Sequence, residues 1–333
     1  MSYNNLVSVI IAVLNGEKYI LGAIESVLNQ TFKNFEIIVV DDGSTDGTKK
    51  VLEPMIQQGI IRYIYQENKG LANARNTGIA NSNGRFLKFL DCDDFLYPKQ
   101  LELQIEHLNN KSDLTVSVTD FELEFESKSK KTVKIFLSSK NQLDRFIESN
   151  PCPVHTILIS KKQVQEVDGF SEEMISQEDT DLWLRILLNG GVFEKIDYVG
   201  CCYRILHKSQ SSNSERMFKA HCVLSERINK HLSLILDQLN NYTLEQILKV
   251  NCKFIHSFFV KRLSPRKYVP ITLELSKRIY VMKPDNLRKF LLTMIGIQNI
   301  TYMQYLKRIA TEPNYLLELQ SAETSWRDEN NYA

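Results

Sequence analysis

An excess of charge of either sign is what this sequence most plainly lacks. Its 333 residues carry 41 Lys and Arg against 40 Asp and Glu, a formal net charge of +1. That balance argues against nucleic acid binding by the protein as a whole. A C-x-x-C pair is also missing. The six cysteines, Cys92, Cys152, Cys201, Cys202, Cys222 and Cys252, are scattered, which sets aside zinc-ribbon and thioredoxin readings and fits reduced thiols in a cytoplasmic setting. No basic region precedes the first apolar run, the first lysine being Lys18, so a secretory signal is not expected. Nor is a membrane-spanning run expected: the longest late uncharged stretch, Phe290 to Leu306, is broken by Thr293, Gln298, Asn299, Thr301 and Gln304. No internal repeat is visible. What is there is ordinary for a folded chain, 43% hydrophobic and 24% charged, long enough for one large domain or two of common size.

The first hundred residues alternate apolar runs with helical patterns. Leu6 to Leu14 is almost wholly apolar, as a strand buried on both faces would be. Ile20, Ala23, Ile24, Val27 and Leu28 recur at helical spacing. Phe35 to Val40 predicts a second strand ending at Asp41 and Asp42. Ser44 and Asp46 are N-cap candidates for a helix whose inner face is Val51, Leu52, Met55 and Ile56. Ile60 to Tyr65 predicts a third strand, Leu71 to Ala80 a helix, and Phe86 to Leu90 a fourth strand ending at Asp91-Cys-Asp-Asp94. Pro98 opens the next helix, since proline is tolerated in a first turn. Strands alternating with helices imply a parallel sheet with right-handed crossovers. Ligands of such sheets bind beyond the carboxyl ends of the strands. Ala12 to Asn15, Asp41-Asp42 and Asp91 to Asp94 are therefore expected along one edge.

After residue 110 the pattern changes. Thr115 to Phe125 reads as one or two antiparallel strands, Ser127 to Lys134 as a polar, basic turn, and Pro151-Cys-Pro153 as an irregular segment. Glu178 to Leu188 reads as a helix with Leu182, Trp183, Ile186 and Leu187 inward. Beyond Ser211 a mainly helical region is expected. Residues 216 to 310 hold 17 Lys and Arg against 5 Asp and Glu. That asymmetry fits an anionic membrane surface or a lipid-linked diphosphate, and it equally fits a solvated helical face.

The acidic clusters suggest chemistry. Asp91 and Asp93, one residue apart after an apolar strand, can converge on one hard cation, and magnesium or manganese takes oxygen ligands while also binding phosphates. Aspartate also serves plain turn chemistry at strand ends. Asp42 can accept a hydrogen bond from the imide N–H of uracil or thymine, or can belong to a turn with Asp41. Glu178 and Asp179 open a helix, where the anionic form is favoured. Either can act as general base toward an acceptor hydroxyl, or simply match the helix dipole.

Together and in order, these pieces resemble the family 2 glycosyltransferases. The blocks are Val7-Ser-Val-Ile-Ile-Ala-Val-Leu-Asn15, Ser26-Val-Leu-Asn-Gln-Thr31, Glu36-Ile-Ile-Val-Val-Asp-Asp-Gly-Ser-Thr-Asp46, Asn68-Lys-Gly-Leu-Ala-Asn-Ala-Arg-Asn76 and Phe89-Leu-Asp-Cys-Asp-Asp94. Gly169-Phe170, Glu178-Asp-Thr-Asp-Leu-Trp-Leu-Arg185 and Tyr203-Arg204 follow. The resemblance covers residues 6 to 210. It implies the glycosyltransferase A fold: a Rossmann-like, mostly parallel central sheet flanked by helices, here followed by a helical C-terminal region. The domains implied are a catalytic, nucleotide-sugar-binding part, 1–210, and a helical part, 211–333, that meets acceptor, membrane or a second copy.

The activity implied is inverting, metal-dependent transfer of a hexosyl group from a nucleotide diphosphate sugar, UDP-sugar foremost, to an acceptor hydroxyl. The acceptor would be a glycan or a lipid- or protein-linked molecule in cell-surface polysaccharide or glycoconjugate synthesis. Asp42 would contact the base, and Ala12, Val13 and Leu14 would line the base and ribose pocket. Asn68 and Arg75 would hold nucleotide or diphosphate. Asp91, with Cys92 beside it, would contact ribose or sugar, and Asp93 would ligate Mn2+ or Mg2+ with Asp91 and His207 as further ligands. Asp179 would be the base, with Glu178 in support. The chain departs from the usual pattern in three places: Ala12 stands where proline is frequent, Leu14 where an aromatic often stacks on the base, and His207 one position late after Tyr203-Arg204, while Ser209 keeps its offset. A nucleotidyltransferase and a non-catalytic nucleotide-sugar-binding scaffold are the other readings. The implied location is cytoplasmic, peripheral on the inner face of the plasma membrane. Lys261-Arg262 and Arg266-Lys267 near Phe258, Phe259 and Tyr268 suit such an interface, and a helical dimer interface would account for the same apolar faces.

Overall fold

A computed structural model describes residues 5–109, 111–137, 142, 145–146, 150–206, 220, 223–224 and 227, all within one compact unit, Met1–Ser233. Apart from the four positions 220, 223, 224 and 227, the region 211–333 lies outside the described residues. So do His207, Ser209 and the basic clusters from Lys261 to Lys267.

The N-terminal half forms as its apolar runs dictate. Strands β1 (Val7–Val13), β2 (Phe35–Asp42), β3 (Arg62–Gln66) and β4 (Phe86–Asp91) alternate with helices α1 (Ile20–Leu28), α2 (Thr48–Gln57) and α3 (Leu71–Ala80). Every residue of β1 is buried, because helices cover both faces of a parallel sheet. Each fully buried Val or Ile contributes roughly 1.5–3 kcal/mol relative to exposure. β1 lies between β2 and β4, parallel to both, and β3 adds to β2 in parallel. Helix α3 packs Ala74 and Leu71 on Ala12, Ile38, Val40 and Ile64. Gly78 permits that close approach, since a Cβ there would run into the Ile10 side chain.

The second half adds β5 (Phe95–Leu96), α4 (Gln100–Leu108), β6 (Thr115–Phe125), β7 (Lys130–Val133), a 3-10 turn (Val154–Thr156), β8 (Ile157–Ser160), α5 (Lys161–Glu166), α6 (Glu178–Leu188) and β9 (Val192–Ile205). The sheet runs β3-β2-β1-β4-β8-β6-β9-β5, with β7 on the side of β6. β8 is antiparallel to both β4 and β6, whereas β9 runs parallel to β6. Among the described residues, no helix is long and apolar enough to cross a membrane.

Several local expectations change. Ser44 is not an N-cap, whereas Asp46 stands one residue before the cap position and still accepts the first helical N–H, that of Thr48, on Oδ1 at 2.9 Å. The cap position of α2 is Gly47, with no side-chain cap bond. Ser44 Oγ instead receives Asn15 N–H, and Asp46 receives the N–H groups of Glu17 and Thr48, so both residues clasp the β1–α1 loop. Of the expected α2 face, Leu52 alone is fully buried. Pro98 precedes α4 rather than opening it, with its carbonyl held by Thr31 N–H. Thr115 to Phe125 is a single strand. The expected turn at Ser127 to Lys134 contains β7, which pairs Lys130 opposite Glu124, and opposite charges across a ladder favour pairing. On α6, Leu184 is buried and Leu187 only partly so.

Candidate active site

Strand register brings the acidic clusters together. Val13 is paired with Asp41 and Ala12 with Asp91, so the carboxyl ends of β1, β2 and β4 form one edge as expected. Ala12 and Val13 are buried there, and Leu14 stands 41% exposed at the mouth.

Asp42 anchors the neighbouring loop. Its Oδ1 accepts from Gln66 Nε2 (2.8 Å) and Lys69 N–H (2.9 Å), and its Oδ2 from Gly70 N–H (2.9 Å). A carboxylate offers about four acceptor positions, so the pinned side chain retains room for one further donor. Gln66 cannot swing away freely, because Thr77 Oγ1 donates to its Oε1 at 2.7 Å. Asn68 is exposed and its backbone crosses close over Gly43. A Cβ at Gly43 would sit 2.8 Å from Asn68 N, and its φ of +84° already favours glycine. Asp41, next in sequence, is occupied by Tyr63 Oη and Ser44 N–H.

Arg75 is the hub. It is 3% exposed. Its Nη2 lies 2.6 Å from Asp91 Oδ1 and its Nη1 2.6 Å from Glu178 Oε1, and its guanidinium lies over the Phe170 ring. Burial works against its charge, yet Asp91 and then Glu178 outweigh that and hold it firmly protonated. Asn76, next on α3, brackets Phe170: its Nδ2 donates to Phe170 O and its Oδ1 accepts Phe170 N–H, both at 2.8 Å. On the far side, Arg185 of α6 donates to the carbonyls of Val167 and Gly169. The Arg75–Glu178 bridge thus fixes the first turn of α6, while Arg185 ties its last turn to residues 167–169.

Asp179, in that first turn, accepts Thr180 N–H on Oδ1 (2.7 Å) and Asn150 Nδ2 on Oδ2 (2.6 Å). Burial and the neighbouring Glu178 charge push it up to about 6, against the pull of Arg75. Asp93 is pushed up to about 7 by burial, with Asp94 and Asp91 beside it. Burial also raises the Cys92 thiol well above its usual value, so it stays protonated between the two aspartates.

Asp94 and His155 form a second, deeper pair. Both are essentially inaccessible, and His155 Nδ1 lies 3.1 Å from Asp94 Oδ2. The approach lacks hydrogen-bond alignment: Asp94 Oδ2 and both His155 ring nitrogens are without a hydrogen-bond partner. With Asp91 they offer three ligand atoms within 4.8 Å of one another. Arg204 closes this side, its N–H on Asp94 Oδ1 (2.8 Å), its Nε on Asp93 O and its guanidinium over Tyr19.

The structure thus brings Arg75, Asp91 and Glu178 into direct contact, groups Cys92 and Asp93 with them, and places Asp42 at the end of β2, on the other side of β1. Sequence reasoning passed over Asn150, His155 and Gln66. Asn150 and His155 flank an irregular Pro-Cys-Pro segment with no periodicity to expose them. Asp94 belonged to the expected acidic edge but was not singled out.

The architecture is the glycosyltransferase A fold. Staphylococcus aureus TarS residues 1–349, solved in complex with UDP, superposes with a TM-score of 0.59 at 18% identity, covering 97% of this chain and 92% of that one. The glycosyl transferase family 2 model matches residues 8–167. An Escherichia coli UDP-Glc:α-D-GlcNAc-diphosphoundecaprenol β-1,3-glucosyltransferase is 30% identical over 234 residues, covering 69% of this chain and 90% of that protein. The chain belongs to glycosyltransferase family 2. An uncharacterised Rickettsia bellii glycosyltransferase is 34% identical over 196 residues, 58% of this chain, and the match spans 28% of that longer protein.

Proposed function

We propose that this chain is an inverting glycosyltransferase that moves a sugar from a nucleotide diphosphate sugar, a UDP-sugar foremost, to an acceptor hydroxyl in bacterial surface-glycan synthesis. Asp179 carries this reading, a half-buried carboxylate pushed up to about 6 and fixed beside the Asp91–Arg75–Glu178 bridge at the ligand edge of the sheet. The UDP complex of TarS and the UDP-glucose and diphosphoundecaprenol named for the E. coli relative support the donor and acceptor classes.

In the proposed step Asp179 takes the proton of the acceptor hydroxyl as that oxygen bonds to the anomeric carbon. The bond from that carbon to the diphosphate oxygen breaks on the opposite face, and the configuration inverts. Asp42 receives the imide N–H of the base on its remaining lone pair. Ala12, Val13 and Leu14 wall the base and ribose, and Asn68 covers the nucleotide. Asp91 meets ribose or sugar, with Cys92 packed behind it. Arg75 acts through its two carboxylates, holding donor-side Asp91 and base-side Glu178 at a fixed separation.

The residues fit a divalent cation. Asp91, Asp94 and His155 converge, Asp94 Oδ2 and the two His155 ring nitrogens have no hydrogen-bond partner, Asp93 lies beside them, and Asp91 remains partly open toward a ligand. Mostly oxygen donors with one imidazole suit manganese better than magnesium. A cation bound there would neutralise charge on the diphosphate. The region 211–333, with its basic excess, is assigned to acceptor, membrane or subunit contacts.

A panel of nucleotide sugars incubated with Mn2+, Mg2+ or EDTA tests the proposal. It requires release of a nucleoside diphosphate. Release of pyrophosphate would indicate nucleotidyl transfer instead, and binding without turnover a scaffold.

A further inference from the structure

Asn150 sits in a short strap, Asn150 to Cys152, that touches α6 at two points. Its Nδ2 donates to Asp179 Oδ2 at 2.6 Å. Four residues further along the same helix, Trp183 Nε1 donates to Cys152 O at 3.2 Å. Trp183 and Cys152 are both fully buried, so the strap is clamped at its far end. The orientation of the Asn150 amide is settled internally as well. Its Oδ1 accepts Cys152 N–H at 3.1 Å, which leaves the Nδ2 side, and not the oxygen, facing Asp179.

We infer that Asn150 is a positioning residue for the general base: it keeps Asp179 ionised and aims a free lone pair of its carboxylate at the acceptor. This deepens the proposed function and rests on Asp179 being the base. A donor N–H on Oδ2 favours the charged form of a carboxylate. With Thr180 N–H on Oδ1, the carboxyl group cannot rotate without losing two hydrogen bonds. The other groups bearing on Asp179 are Glu178 on its own helix, Arg75 from α3 and Asp91 at the end of β4. The Cys152 thiol of the strap faces it too, and burial and Asp179 keep that thiol protonated. Arg75 is already shared between Asp91 and Glu178. Among the described residues, Asn150 is therefore the side-chain donor that reaches Asp179 from outside its own helix.

The test uses the full chain labelled with 13C at the aspartate carboxyl carbons. The Asp179 signal is identified as the one absent from D179N. Two variants are titrated beside the parent. N150A removes the donor. N150D is isosteric, keeps an oxygen for Cys152 N–H and so preserves the strap, but sets a carboxylate against Asp179. The Asp179 midpoint should rise by roughly one unit in N150A and further in N150D. The acid limb of nucleoside diphosphate release should move with it, while the donor KM stays within about twofold of the parent. An Asp179 midpoint that does not move in N150D overturns the inference, as does a raised donor KM with an unmoved acid limb. Failure of the underlying reading shows separately, as undiminished release by D179N, whatever the midpoints do.

Discussion

Arg75 Nη1 lies 2.6 Å from Glu178 Oε1 and so joins α3 to the first turn of α6 across 103 residues of sequence. The same guanidinium holds Asp91 with its other terminal nitrogen. Removing it leaves two carboxylates facing each other with no counter-charge. Arg75→Met should cost roughly 3–5 kcal/mol of stability, the usual range for breaking a buried charge pair from one side. Arg75→Lys keeps the charge but cannot span both partners with one ammonium group. Both variants should lose at least about 100-fold in nucleoside diphosphate release, a loss of about 2.7 kcal/mol of transition-state stabilisation. Denaturant titration and a release assay read the two effects, and a Lys variant with parental release would remove Arg75 from the site's working parts.

Asp179 must be ionised to accept a proton, and its ionisation is centred at about 6. The turnover rate should therefore climb with pH through that value and level off above 7. At pH 5 it should be about tenfold below the plateau, the fraction of base left ionised. A profile flat from pH 5 to 8 would assign the base elsewhere.

Lys88 gives a stability prediction unrelated to catalysis. It is wholly buried in β4 with Gln104 Oε1 at 3.0 Å, and burial lowers its ammonium to about 7. In the unfolded chain it titrates near 10.4. Between those values the unfolded state binds more protons than the folded one, so stability rises with pH across that window. Parental Tm should accordingly rise from pH 7 to 9.5 relative to Lys88→Met, which lacks the titrating group. Parallel Tm curves for the two proteins would refute this.

Two glycines should respond in opposite directions. Gly43→Ala places a methyl group 2.8 Å from Asn68 N at a positive φ, displacing the loop that Asp42 anchors. UDP affinity should fall about tenfold, with Tm lowered. Gly22→Ala lies inside α1 with nothing within 4 Å of the new Cβ. It should gain roughly 0.5–1 kcal/mol and leave UDP binding unchanged. Calorimetry and thermal melts separate the cases, and equal UDP affinity in Gly43→Ala would free that loop from the donor site.

The legible parts of the molecule are those where the local pattern is strong. The bounds of α3 and α6 follow from the sequence, each helix being closed by an asparagine, Asn81 and Asn189, and β1, β2 and β4 stand out as mainly apolar runs. β8 and β9 carry no such signature. β8 is four residues long, and β9 mixes Lys195, Asp197 and Arg204 among its apolar positions, since ion pairs such as Lys195 with Asp120 settle it beside β6. β7 looked like a turn because its cross-strand partners, Glu122 and Glu124, are far from obvious before the hairpin closes. In the site, motif order pointed to Arg75, Asp91 and Glu178 separately. Their bridge is a tertiary contact over 16 and 103 residues, and no local spacing encodes it. The Asp94–His155 pair and the Asn150 strap were invisible for the same reason.

The most direct test of the account compares the parent with Asp179→Asn, first for UDP binding by calorimetry and then for nucleoside diphosphate release from the donor that the nucleotide-sugar panel identifies. UDP affinity should stay within about twofold and release should fall on the order of 100-fold or more, the contribution of a general base. Release at the parental rate, with binding intact, would contradict it.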